Sequence, residues 1–368
     1  MAKIKSLTIR GYKSIQRLDD FKPSQINILI GSNGAGKSNF ISFFRMLGWC
    51  VSSVDQFQNF IADAGYASAL LFDGSETTRE IETDIILETD LGLNEYYSRL
   101  VHGSGDILFF AEEKVRFSRK DYGAVNPNWI DFGAGHKESK LYEKTSTDKT
   151  VNSIFNLLRK VIVYQFHNTS PKSPIRNRWA VSDGKWLKEN GNNLGSFLFR
   201  LYQEYPDDYK RIVKHIRIIV PFFDDFILEN ERGSVLLRWK ELNSPKIFDA
   251  TQASDGMLRF IALVALLAQH PRSLPAVMFI DEPELGLHPS AIESLAGLIK
   301  TASRYCQLFI STQSPALVDM FEPEDIIVVE RKQRASEFKR LSATELELWM
   351  DEYSLSELWE KNVFGGQP

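Results

Sequence analysis

The chain has 368 residues, 43% of them hydrophobic and 25% charged, and a formal net charge of −4. This is ample for a large core and excludes a nucleic-acid binder that relies on bulk charge, leaving a local patch as the only route to such a contact. Two distant cysteines, Cys50 and Cys306, exclude a disulfide framework and a zinc cluster. The first residues lack a signal-peptide core and the most apolar helix-like run, 260–268, is too short for a bilayer, so the expectation is a cytoplasmic protein without membrane contact.

Residues 4–10 alternate as a half-buried or edge strand does, and 26–30, all apolar but Asn27, read as a buried strand. A Gly-rich loop follows, then a helix from about Lys37 to Leu47. Three apolar-alternating stretches near 81–89, 95–101 and 106–117 predict an antiparallel meander, with Gly103 and Gly105 as turn residues. The polar stretch 118–150 reads as a loop insertion. A helix at 151–160 leads to a strand at 161–166. Residues 168–195 read as a loop, and helical spacing of Leu194, Phe197, Leu198 and Leu201 predicts helices over 194–220. A hairpin turning at Asn230–Gly233 comes next, then a helix from Ser254 to Gln269. A strand at 276–280, a helix at 289–304, and strands at 307–311 and 325–330 complete the core. The tail carries two Ser-x-x-Glu capping signals, Ser342 with Glu345 and Ser354 with Glu357. The pattern predicts an α/β fold with an added antiparallel subdomain and no coiled coil.

Residues 31–38, GSNGAGKS, fit G-x-x-x-x-G-K-[ST] between an apolar strand and a helix start, the context that gives this motif meaning. Glycines let backbone N–H groups of Asn33, Gly34, Ala35, Gly36 and Asn39 curl toward phosphates at a helix N-terminus. Lys37 supplies a point charge for the β- and γ-phosphates of ATP, and the Ser38 hydroxyl a magnesium ligand. Asp281 and Glu282 end a second buried strand, where ligands bind in open α/β sheets. Asp281 is expected to hold magnesium and Glu282 to polarise the attacking water. The six histidines show no metal-ligand spacing. Lys172, Arg176, Arg178, Lys185 and Lys188 interleave with Trp179 and Trp186, either as a nucleic-acid patch or as a solvated loop.

The set Gly31–Ser38, Ser254-Asp255-Gly256 and Asp281–Pro289 resembles the ABC-type ATPase heads of the SMC, RecF and OLD group. Residues 7–15 are similar to the first strand of those heads, residues 311–315 occupy the place of their switch loop, and the C-terminal stretch from Tyr353 resembles the stand-alone OLD-like AAA type 21 subfamily. The resemblance implies a P-loop NTPase of ABC-head type over 1–368, with a mixed central sheet, an antiparallel β subdomain and a helical lobe. Its parts would be an N-terminal lobe (1–165), a helical and loop insertion (166–250), the signature, Walker B and switch segment (251–330) and a helical tail (331–368). It further implies a head-to-tail homodimer, open to higher assembly, in which Ser254 and Gly256 meet the ATP held by the other copy. Without the resemblance, Ser254 or Asp255 reads as an ordinary helix cap. Gln313 stands where many such heads carry a switch histidine, and since it does not titrate, turnover is expected to be slow. Lys13 matches a basic residue that meets the phosphates in SMC-like heads, or else is a solvated strand end. Gln165 matches the magnesium-sensing loop glutamine, with His167 as competitor. Stand-alone members pair with a separately encoded effector in defence or DNA maintenance. A slow scaffold switch and a RecF-like, DNA-binding repair ATPase are the alternatives.

Overall fold

In the computed structural model, which describes residues 2–52, 56–120 and 127–367, the five short apolar runs stack side by side. The central sheet has the order Ala335–Arg340, Ile326–Lys332, Ile26–Ile30, Gln307–Ser311, Val277–Asp281, Val161–Tyr164, and all neighbours are parallel except the first pair. Both faces of this sheet are covered, which is why its strands read as unbroken apolar runs rather than alternations. Pleating sends Ile28, Met278, Ile280, Leu308 and Ile310 into one core and Leu29, Phe279 and Phe309 into the other.

The second core lies between this sheet and an antiparallel one, ordered Ile15–Phe21, Lys3–Tyr12, Glu80–Glu88, Gly92–Gly103, Ile107–Arg119, Ile130–Asp131. The helix Lys37–Cys50 is sandwiched between them. Phe40 and Phe44 lie against Phe279 and Phe309, with the Phe44 and Phe279 rings stacked at 4.0 Å. The first core is helical. Leu194–Glu204, Pro206–Ile219, Asp255–Leu267 and Pro289–Ala302 pack there on the other face of the central sheet.

Several expectations need correction. The stretch 118–150 is not a plain loop. Apart from residues 121–126, which lie outside the described residues, it forms the strand Ile130–Asp131 and the helix Leu141–Lys144, and the next helix, Lys149–Leu158, already starts within it. Fully buried Glu113 accepts from the Ser139 hydroxyl and the Lys140 backbone N–H, and so pins the polar sequence down. The hairpin does turn at Asn230–Gly233, where Gly233 has φ 83° and Glu231 bridges Ser234, and its outer arms pair with each other while the stretch just after the turn pairs elsewhere. Ser234–Val235 pairs with Trp179–Ala180, while Phe223–Phe226 pairs with Arg238–Glu241. The tail from 331 is not purely helical, because Ala335–Arg340 adds a strand to the central sheet before the helices Ala343–Met350 and Leu355–Glu360. Of the two capping signals, Ser354 with Glu357 forms the reciprocal box and Ser342 makes no side-chain cap.

Candidate functional site

Four strands of the central sheet run parallel and adjacent, so the loops leaving their C-terminal ends share one rim. These are the loop of residues 31–36, the Asp281–Glu282 step, the switch segment after Ser311 and the turn at Gln165. Ser32, Asn33, Gly34, Gly36, Lys37, Ser38 and Asn39 line a cleft together with Glu282 and Gln313. The glycines have structural causes. A Cβ on Gly31 (φ 147°) would stand 2.1 Å from the Val329 carbonyl, and one on Gly36 (φ 117°) 2.0 Å from the Ser336 hydroxyl.

Lys37 is buried and donates to the carbonyls of Gly31 and Ser32, at 2.5 and 3.2 Å. Burial lowers its pKa, against the opposing pull of Glu282, Asp281 and Glu284. Asp281 accepts from the Ser311 hydroxyl on one oxygen and from Gln165 Nε2 at 3.1 Å on the other. Glu282 holds φ 42°, a left-handed conformation of the kind that costs about 1–3 kcal/mol and concentrates at working sites. Its Oε1 accepts from Gln313 Nε2 at 2.5 Å.

Gln165 and His167 are arranged by one network. Arg45 donates to Gln165 Oε1 at 2.8 Å, so the amide nitrogen faces both Asp281 and His167 Nδ1, the latter at 3.1 Å. His167 Nε2 lies 2.9 Å from the Asp281 carbonyl oxygen, which can only accept. The ring is therefore protonated on Nε2 and accepts on Nδ1; flipping the Gln165 amide would set it donor-to-donor against Arg45. Both nitrogens of His167 are thus occupied, while Gln165 sits directly against Asp281.

The signature segment lies outside this cleft. Ser254 caps the helix Asp255–Leu267 by accepting from the Met257 N–H at 3.2 Å. Gly256 touches the loop after Asp281, since a Cβ there would meet the Gly286 carbonyl at 2.4 Å. Asp255 is held by Arg176, at 2.7 Å. Arg176 is only 4% exposed and also donates to the carbonyls of Thr169, Ser170, Ala250 and Ala253. Buried Arg259, one turn further on, donates to the Phe166, His167 and Leu285 carbonyls, and ties the signature helix to the Gln165 turn. Lys13 (φ 46°) donates to Ser42 at 3.2 Å and lines a neighbouring cleft with Ser14, Asn39 and Arg331. The basic loop is divided. Arg176 is buried, Arg178 pairs with Glu231 at 2.6 Å, and Lys188 lies over the Trp179 ring at 4.1 Å.

Glu284 and Ser336 carried no role in the sequence analysis. Glu284 accepts from the Thr312 hydroxyl and the Gln313 N–H and so fixes the switch segment, and burial raises its pKa. Its sequence signal was the third acid of Asp-Glu-Pro-Glu. The Ser336 hydroxyl lies 2.6 Å from the Ala35 carbonyl and 2.7 Å from Ser14, which in turn accepts from Asn39. Ser336 has one proton; donating it to Ala35 leaves Ser336 to accept from Ser14, and this chain braces the Gly-rich loop from behind. No local pattern marks Ser336, because its partners are about 300 residues away.

A family model described as "AAA domain, putative AbiEii toxin, Type IV TA system" matches residues 26–319, which contain every loop of this rim. The chain belongs to this AAA_21 family. Among curated proteins, the Retron Vc95 probable ATPase of Vibrio cholerae serotype O1 biovar El Tor is 24% identical over 247 residues, 65% of this chain and 46% of that relative. The chain thus matches less than half of that relative's length. Among solved structures, the Smc head bound to the C-terminal winged-helix domain of ScpA superposes with a TM-score of 0.60 at 15% identity, covering 94% of this chain and 99% of the other. The Smc head with an extended coiled coil bound to the C-terminal domain of ScpA from Pyrococcus furiosus gives 0.57 at 15% identity, covering 96% and 99%. The AAA_21 chain therefore has the fold of the SMC head. Among its described residues no helix is long and apolar enough to cross a membrane, and no group of three His, Cys, Asp or Glu could hold a metal alone.

Proposed function

We propose that this chain hydrolyses ATP with magnesium, within a head-to-tail dimer that controls a separately encoded effector. The convergence of Lys37, Ser38, Asp281, Glu282 and Gln313 on one rim carries this reading. The hard oxygen donors of Ser38 and Asp281 suit a magnesium ion, which would neutralise phosphate charge. Gln165 would ligate it only after turning its carbonyl away from Arg45. The backbone of Asn33–Gly36 with Asn39 would cradle the phosphates, and Lys37 would exchange its carbonyl partners for phosphate oxygens. Glu282 would accept the proton of the water whose oxygen attacks the γ-phosphorus, with ADP leaving. Ser254 and Gly256, absent from their own chain's cleft, would serve the cleft of the second copy, and Arg176 answers the charge of Asp255 there. Lys13 would approach the phosphates from the Asn39 side.

The Gln313 to Glu282 hydrogen bond favours slow turnover, because a carboxylate oxygen that already accepts an amide N–H is a weaker base. The family description and the relative named as a retron ATPase support control of an effector in bacterial defence. Steady-state phosphate release compared with Glu282→Gln tests the reading. We expect the variant to lose about 100-fold or more while still binding ATP. Equal rates would remove Glu282 from its role.

A further inference from the structure

A groove of about 690 Å³ runs beside Val161–Tyr164, the edge strand of the central sheet, away from the Gly-rich loop. Arg159, Lys160, Lys188 and Arg272 line it from three separate segments, and Glu189 is its one carboxylate. Arg159, Lys160 and Arg272 are exposed and have no carboxylate partner among the described residues. Arg159 lies over the Phe155 ring at 5.5 Å. The indole of Trp186 stands in the same groove, 61% exposed, although a large aromatic ring is ordinarily drawn inside. In a chain of net charge −4, three cations without a carboxylate partner among the described residues, beside a Lys188 that pairs with Asp183 at 3.8 Å, form with the exposed indole a local reversal of charge and a stacking platform.

We propose that this groove binds single-stranded nucleic acid, with phosphates on Arg159, Lys160 and Arg272 and a base stacked on Trp186. The cations supply sequence-independent affinity and the ring takes any base, the combination that single-strand binders use. An acidic peptide would satisfy the cations but leave the indole without a partner, and duplex DNA keeps its base faces covered. The floor of the groove is also wired to the catalytic rim: the Gln165 N–H donates to the Glu189 carbonyl at 2.8 Å, and Gln165 contacts Asp281. This proposal does not rest on ATP turnover, so its failure and that of the ATPase reading are separable.

The test is fluorescence anisotropy of labelled dT12 and rU12 titrated with the full chain without nucleotide. Binding should weaken with salt at a log–log slope of about −2 to −3, from roughly 0.7 per phosphate over three or four contacts. Lys160→Glu with Arg272→Glu should weaken it at least tenfold, and Trp186→Ala about tenfold, with Trp186→Phe partly restoring it. Lys210→Glu with Lys214→Glu, on the exposed basic face of another helix, should bind as the parent does. Thermal melts accompany each variant, and Lys160→Gln with Arg272→Gln replaces the reversal if that unfolds. Absence of binding, groove variants that bind like the parent, an equal loss in the Lys210/Lys214 control, or equal competition by duplex DNA, polyphosphate or polyglutamate would each overturn the proposal.

Discussion

Asp84, on the strand Glu80–Glu88, shows what one misplaced carboxylate does to such a sheet. Its Oδ1 is buried without a partner, and burial, helped by Glu95, raises its pKa to about 6. A carboxyl whose folded pKa is raised stabilises the fold at low pH, and that contribution is lost as pH climbs from about 4 through about 6. Two units correspond to roughly 3 kcal/mol, discounted to about 1–2 because the group is partly solvated. Asp84→Asn should therefore stabilise the protein by about 1–2 kcal/mol at pH 7.5 and flatten the rise in stability below pH 6. Urea unfolding at pH 5 and 7.5 checks this. Asp281 shows the opposite arrangement, with Ser311 and Gln165 donating to its two oxygens, and Glu282 Oε1 accepts from Gln313. The sequence made both acids legible because they end an apolar strand. It could not show how Gln165 and His167 sit against Asp281, since Arg45, which orients the Gln165 amide, is 120 residues away.

At the scale of elements, two loops depend on distant support. Gly31→Ala would drive a methyl group against the Val329 carbonyl, in a backbone region that only glycine occupies easily. We expect at least about 2 kcal/mol of destabilisation and loss of ATP binding, readable by thermal melts with and without ATP. The segment around Ser254 hangs on Arg176, whose removal takes the side-chain donor from the Thr169, Ala250 and Ala253 carbonyls and from Asp255, while the Ser170 carbonyl keeps the Ser173 N–H. Arg176→Met should cost about 3 kcal/mol by chemical denaturation and weaken ATP-driven dimerisation more than ATP binding itself. Composition placed Arg176 in a possible nucleic-acid patch. A single sequence cannot distinguish a buried arginine from an exposed one, because both sit in polar loops.

For the whole molecule, the rim is half a site if the signature residues serve a second copy. With Glu282→Gln and saturating ATP, light scattering should show twice the mass of the nucleotide-free chain. Ser254→Arg, which places a bulky side chain at the cap, should keep that variant monomeric. A dimer indifferent to both changes would remove the sandwich.

The sequence by itself determined the Gly-rich loop, the paired acids and the α/β alternation, since each is a local pattern whose physics is complete within ten or so residues. The antiparallel meander was legible for the same reason. Only the tertiary structure decided that Ser336 braces Ala35, that Arg176 and Arg259 clasp the signature helix, and that the tail returns a strand to the sheet. Those contacts join positions tens to hundreds of residues apart, and their energy depends on burial that no single stretch of chain encodes.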